Sequence, residues 1–548
     1  MRIIDLARRA TVATAIVFGT VLAVAVSRPS AQAGAQAPPA APAGGPGQTG
    51  GAGQAAPAPG GGRGGTNPAV ASYTEHCASC HGTDLAGGRA PSLFNEQWLA
   101  TVADARLTAS IRNGVANAGM PAFGSVLSAD QIWQLVQYMR LQSGALKARP
   151  AFVPDPSGAV LKTQKATVSL EVVADGLNTP WALAFLADGR LLVTERTVNG
   201  GTLRVVDRGP VSAPVSGTPK VHVQQDAGMF DVEVHPRYAE NGWIYLSYAQ
   251  LLPGYTAPPP PAPPADATAG RRGGGRGGAV APSMTTIVRG RINARNEWVD
   301  QQVIFRAPAS LYTTDGTHFG SRFIFDREGH LFFSIGDRGV MGNAQDLSNP
   351  LGKIHRVNDD GSVPKDNPFA STPGAVATIW SYGHRNPQGL AWDPRSGRLW
   401  ESEHGPTAGD EINIVERGRN YGWGVATRGR QPGITKVSEP GMVDPIVYYI
   451  PTFAPSGMSF YTGDRYPGWK NSLFVGGLAG QALRRLDVDG DTVTSQEVIF
   501  DQFGRVRDVV QGPDGYLYLA LQYATGAGTN FGLVAPSPGL VARMIPVR

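Results

Sequence analysis

Six times along the chain an alternating apolar strand runs into a Pro/Asp/Gly turn and returns as a second alternating strand. The units are WALAFLADGRLLVTER (Trp181 to Arg196), VEVHPRYAENGWIYLSYA (Val232 to Ala249), FIFDREGHLFFSIGDRG (Phe323 to Gly339), LAWDPRSGRLWESEHG (Leu390 to Gly405), SFYTGDRYPGWKNSLFVGG (Ser459 to Gly477) and VVQGPDGYLYLAL (Val509 to Leu521). Alternation with period two specifies a strand, and the turn chemistry joins each pair into a hairpin. Recurrence every ~50 to 90 residues fits four-stranded propeller blades and not a helical solenoid. Residues 166–548 are therefore expected to form an all-β, six-bladed propeller. The widest gap holds a low-complexity stretch, 253–283, expected to be a solvated loop.

The segments ahead of the propeller differ in composition. Arg2, Arg8 and Arg9 precede an uncharged run from Ala10 to Val26, and Ala31-Gln32-Ala33 offers a small-x-small cleavage site. Residues 1–33 read as a signal peptide, with an uncleaved membrane anchor as the alternative, so the body of the protein is expected to be periplasmic or secreted. Residues 34–66 are nearly all Ala, Gly, Pro and Gln, a tether with too little apolar surface to order itself. Residues 67–146 have ordinary composition, and 147–165 read as a second linker. A chain of 548 residues with 42% apolar and 17% charged content is folded in more than one unit. The net charge of +5 is small, and part of it lies in RRGGGRGG, so no nucleic-acid partner is expected.

Both cysteines of the chain sit in CASCH, Cys77 to His81. Cys-x-x-Cys-His lets two thiols bond the vinyl groups of a haem while His81 reaches the iron. A thioredoxin-like pair would need no such histidine, and a zinc site would need further ligands nearby. Met120, between Gly and Pro in GMPAFG, is the expected sixth ligand, whereas Met139 lies on the apolar stripe of a closing helix with Ile132, Leu135 and Val136. Ser128-Ala-Asp-Gln131 reads as the capping box of that helix. The segment resembles a class I cytochrome c domain, small and all-α, carrying one covalent haem c.

In the propeller region, four segments hold polar residues that strand packing does not require: THFGSR (Thr317 to Arg322), YGHRNPQG (Tyr382 to Gly389), SEHGPTAGDEIN (Ser402 to Asn413) and RVR (Arg505 to Arg507). The third combines carboxylates with Gly and Pro carbonyls, hard donors that suit calcium, and the fourth sends two guanidinium groups to one side of a strand. In this order, and with LNTPWALAFLADGRLLVTER, GKIHRVNDDGSVPKDNPF and HGPTAGDEINIVERGRNYGWG, they resemble the pyrroloquinoline quinone (PQQ) family of soluble glucose, aldose sugar and sorbosone dehydrogenases. That resemblance implies His318 as the general base and Arg385 as stabiliser of charge on the quinone oxygen. It further implies Asn386, Arg505 and Arg507 as cofactor contacts, and Gly405 and Pro406 as carbonyl ligands of Ca2+. Asp410 and Tyr421 fall in matching motifs.

Three positions depart from the glucose-oxidising members of that family. Ala479 stands where they carry a cofactor-contacting lysine, Asp226-Ala227-Gly228 replaces Gln-Gly-Gly beside Gln225, and Thr317 replaces an Asp before the base. The expected activity is oxidation of a sugar or related alcohol or aldehyde, with electrons passed to the chain's own haem c and then to a cytochrome, oxidase or quinone. The alternative is a propeller without PQQ that binds carbohydrate or protein beside an electron-transfer cytochrome.

Overall fold

The computed structural model describes residues 68–81, 104–115, 118–145, 156–197, 200–256, 281–406, 408–522 and 538–547, with four isolated positions between 85 and 102. The expected signal peptide, the first linker, positions 147–155 of the second and most of the 253–283 insertion lie outside the described residues. Among the described residues no helix is long and apolar enough to cross a membrane.

The N-terminal domain contributes helices α1 (Pro68–His76), α2 (Ala78–His81), α3 (Asp104–Asn113) and α4 (Ala129–Ala145). The start of α4 is set by the expected box: the Ser128 N–H donates to Gln131 Oε1 (2.9 Å) and the Gln131 N–H to Ser128 Oγ (3.2 Å). Two end-of-helix donors are thereby satisfied reciprocally. Ile132, Leu135, Val136 and Met139 of α4 are buried together with Tyr73 of α1 and Leu107 and Ile111 of α3. The helical spacing of the apolar residues therefore builds the core of this domain.

The six expected hairpins are the first two strands of six sheets. Their first strands are Pro180–Phe185, Met229–Val234, Phe323–Phe325, Pro387–Trp392, Pro455–Phe460 and Arg505–Gln511. Each first strand contacts the first strand of the next sheet, and the last contacts the first, so the ring closes at six blades. Blade 1 has three strands, with an isolated bridge between Val206 and Val211. Blade 6 is closed by the two ends of the propeller segment: Thr167–Asn178 pairs with Pro538–Pro546, which pairs with Leu517–Gln522. Val160–Lys162, within the stretch expected to be a linker, pairs with Thr167–Ser169 as a further edge strand.

Blade contacts bury inner strands on both faces, beyond the one-faced burial that period-two alternation implies. Leu331–Ile335 is buried along its whole length. Successive side chains point to opposite faces, and accordingly Phe333 packs in the core shared with blade 2 while Phe332 packs in the core shared with blade 4. One such apolar wedge lies between each adjacent pair of blades.

Blade 4 also meets the helical domain. Trp133 of α4 packs edge-on against Tyr448 with ring centroids 5.0 Å apart, and its Nε1–H donates to the Arg428 carbonyl (3.2 Å). Gln137 Nε2 donates to the same carbonyl. Ala408 and Ile450 join the buried core of the helical domain.

Candidate active site

In each hairpin the start of the first strand lies beside the end of the second: Pro180 faces Glu195, Pro387 faces Glu403, Pro455 faces Gly477 and Arg505 faces Gln522. Segments entering first strands and leaving second strands therefore converge at one end of the ring. All of the expected propeller site residues fall in such segments.

His318 adopts a left-handed backbone conformation (φ 51°), an arrangement that histidine tolerates better than bulkier residues. Its Nδ1 lies 2.6 Å from Asp337 Oδ1, and Asp337 Oδ2 accepts from Trp423 Nε1 (2.6 Å). Burial alone would raise the Asp337 carboxyl, but hydrogen bonds from His318, Trp423 and the Gly339 N–H hold it below the ordinary value. A carboxylate fixed in this way can only accept, so His318 Nδ1 is the nitrogen that donates to it, and Nε2 is left outside this pair. Asp337 and Trp423 were not singled out in the sequence. Asp337 lies in the hairpin unit Phe323 to Gly339 and Trp423 in the family-matching segment that ends NYGWG, and only the fold brings the two to the imidazole.

Arg385 is linked to the same set. The Asp337 N–H donates to the Arg385 carbonyl (2.8 Å), and the Arg385 guanidinium lies 5.2 Å from the Trp423 ring. Its backbone N–H donates to Glu403 Oε2 (2.6 Å) and its Nη1 to the His404 carbonyl (3.0 Å). The buried Nε has no partner among the described residues. Asn386 Oδ1 accepts from the Gly320 N–H (3.0 Å), tying the segment after His318 to the segment after Arg385. Asn386 thus orders the site through its oxygen.

Gly405 and Pro406 lie in a loop crowded with carbonyls. A Cβ on Gly405 would come within 2.2 Å of the Gly409 oxygen and 2.6 Å of the Ala408 oxygen, so only glycine fits. Asp410 pins this loop: Oδ1 accepts from the Gly405 N–H (2.9 Å), and Oδ2 accepts from the backbone N–H groups of Phe453 and Ala454 (2.7 Å each). Tyr421 is structural here, donating from its hydroxyl to the Ile414 carbonyl (2.6 Å) while stacked on His384. Next to the loop, ligand atoms of buried His384, Glu401 and Glu403 lie within 4.8 Å of one another. Burial, then the charge of Glu403, pushes the Glu401 carboxyl up to about 7. Burial alone would lower the His384 imidazole, but its pairing with Glu401 and Glu403 holds it up to about 9, so this cluster carries its own positive charge. The hard donors that fit a divalent cation are the carbonyls of the Gly405 loop.

Arg505 and Arg507 point to the same end. Arg507 Nε donates to Gln522 Oε1 (2.6 Å), and Arg505 Nε is buried without a partner among the described residues. Burial, then repulsion by Arg505 and Arg196, holds the Arg507 guanidinium well below its ordinary value. Such a cluster is matched by a ligand carrying several negative charges, as PQQ does in its carboxylates. Of the departures, Ala479 is exposed beyond the Leu473–Gly477 strand. Thr317 is held by Asp315, whose Oδ1 accepts from both its N–H (2.8 Å) and its Oγ1 (2.6 Å).

In the helical domain one helical turn holds both thiols and the imidazole, with the His81 N–H donating to the Cys77 carbonyl (2.9 Å). Burial, then the neighbouring Cys80, pushes the Cys77 thiol up to about 11, opposite to the depressed thiol of a redox-active pair. Met120 exchanges backbone hydrogen bonds with Val115 in a tight hairpin (2.9 and 3.2 Å) and packs on the same core as Cys77. Met139 is 5% exposed in that core, as its helical spacing predicts.

Comparison with known proteins agrees with this geometry. Residues 177–530 match the glucose/sorbosone dehydrogenase family, and residues 66–139 match the family described as cytochrome c oxidase, cbb3-type, subunit III. The chain is 39% identical to the aldose sugar dehydrogenase YliI of Escherichia coli over 370 residues, 66% of this chain and 92% of that protein. The apo crystal structure of the soluble aldose sugar dehydrogenase from E. coli superposes with a TM-score of 0.59 at 36% identity, covering 69% of this chain and all of the other. The PQQ-bound aldose sugar dehydrogenase of Streptomyces coelicolor gives 0.51 at 26% identity, covering 71% and 100%. The chain belongs to the glucose/sorbosone dehydrogenase family of six-bladed propellers and carries a cytochrome c domain ahead of the propeller.

Proposed function

We propose that this protein is an exported quinohaemoprotein dehydrogenase that oxidises a sugar, or a related alcohol or aldehyde hydrate, with PQQ and Ca2+ and passes the electrons to its own covalent haem c. The observation that carries the reading is the His318–Asp337 pair at the same end of the ring as Arg385 and the buried arginine cluster. PQQ, when bound, accepts the hydride equivalent from the substrate carbon.

His318 Nε2 takes the proton of the substrate hydroxyl, and Asp337 steadies the imidazolium that results. Arg385, with its unpartnered Nε, donates toward the oxygen on which negative charge grows. Asn386 orders the loop after His318, while Arg505 and Arg507 hold the carboxylates. The carbonyls of Gly405 and Pro406 would hold Ca2+, which would supply Lewis-acid polarisation there. In the other domain Cys77 and Cys80 hold the haem, with His81 and Met120 as iron ligands. The contact of α4 with the Arg428 carbonyl, beside the Gly405 loop, supports an exit for electrons through blade 4. The onward acceptor is a cytochrome, an oxidase or a quinone, and the protein works in the periplasm or outside the cell.

The experiment is reconstitution of purified holocytochrome with PQQ and Ca2+, followed by dye reduction with a panel of aldoses. Activity is expected only with both additions, and a chelator should remove it until Ca2+ is restored. Equal activity in a preparation verified to lack PQQ contradicts the assignment.

A further inference from the structure

Arg196 lies near the end of the second strand of blade 1, Leu191–Thr197, and so at the convergent end of the ring. It is 8% exposed, although blade 1 gives it no carboxylate partner. The neighbouring Glu195 is engaged elsewhere, accepting from Arg204 Nε (2.6 Å) and Thr202 Oγ1 (2.7 Å). Arg196 instead reaches toward blade 2, where its Nε donates to the Ala227 carbonyl (2.8 Å). Its stem runs over Gly228: a Cβ there would stand 2.5 Å from Arg196 Cγ. The Asp226-Ala227-Gly228 segment is thus shaped around this arginine. Its Nη2 is buried without a hydrogen-bond partner among the described residues.

Buried Arg196 and Arg507 and half-buried Arg505 act on one another here, and Asp226 is the carboxylate that acts on all three. Arg196 Nη2 and Arg505 Nε both lack partners. A buried excess of positive charge with unspent donors is costly on its own and is relieved by an anion of more than one charge.

We propose that Arg196 is a third cationic contact for the carboxylates of the quinone, reaching them from blade 1. The inference rests on the PQQ reading above. Forks reaching from two blades, 1 and 6, fix the plane of a polycarboxylate as well as its charge.

The test is PQQ affinity of the full-length protein, measured by equilibrium dialysis independently of turnover, for wild type, Arg196→Met and Arg196→Lys. Arg196→Met keeps the stem over Gly228 and removes the charge; affinity should fall roughly 10- to 100-fold, the range of a lost charged hydrogen bond. Arg196→Lys keeps the charge without the fork and should fall between the two. If Arg196→Met does not fold, judged by its melting transition, Arg196→Lys decides the matter. PQQ affinity within twofold of wild type in either folded variant overturns the role of Arg196. Wild-type protein that binds no PQQ overturns the quinone reading itself, a separate outcome.

Discussion

His318 Nδ1 and Asp337 Oδ1 are 2.6 Å apart, with the carboxylate 1% and the imidazole 17% exposed. A nearly dry carboxylate thus orients a ring that is itself partly open. This is the arrangement a general base requires, one nitrogen committed to an acceptor and the other available. Asp337→Asn keeps the shape but no longer compels Nδ1 to be the donor. Turnover should fall by ~10² or more while PQQ affinity stays near wild type. A loss of PQQ binding equal to the loss of turnover would make Asp337 a structural residue only.

Methionine ligation is separable from methionine packing. With Met120 as the proposed iron ligand, Met120→Ala should change the haem spectrum and lower the reduction potential, as loss of a soft ligand would. Met139→Ala should leave the spectrum unchanged and cost about 2 to 5 kcal/mol of stability, because the side chain is 5% exposed in the core of the helical domain. Redox titration and thermal melting of the two variants distinguish the roles. The reverse pattern would reassign the ligand.

Acid should weaken the propeller through His355. Its ring is buried between Thr378 Oγ1 (2.9 Å) and the Pro350 carbonyl (2.9 Å), and burial lowers its pKa from 6.5 to about 3. The unfolded chain binds this proton below pH ~6.5, whereas the folded protein declines it until about pH 3. The stabilisation is therefore complete above the unfolded pKa and is lost as pH falls through that window, by at most about 1.4 kcal/mol per pH unit. Denaturant melts of His355→Gln between pH 7 and 5 should show lower stability at pH 7 but a shallower decline. An unchanged slope contradicts this.

The blades were legible because their inner strands are apolar and each turn carries Pro, Asp or Gly, so Leu331–Ile335, buried along its whole length, announces itself locally. The closure of blade 6 was not. Thr167–Asn178 finds Pro538–Pro546 across the length of the propeller, and nothing local in either strand names the partner. The same distinction holds in the site. His318, Arg385 and Arg507 stand out as polar residues in strand-edge segments, whereas Asp337, Trp423 and Arg196 matter through neighbours from other segments or blades. GDRG is a turn until the fold places its aspartate against an imidazole. Ser128 and Gln131, three residues apart, needed no tertiary information at all.

The central claim joins the two domains: substrate oxidised in the propeller delivers its electrons to the haem of the same chain. The direct measurement is anaerobic haem reduction in the intact, PQQ- and Ca2+-loaded protein after adding an aldose that supports dye reduction, compared with His318→Ala carrying the same amount of PQQ. The wild-type haem should be reduced at a rate independent of protein concentration, and His318→Ala should be slower by ~10² to 10⁴. A wild-type haem that stays oxidised while the protein reduces dye, or equal rates in the two proteins, would contradict the account.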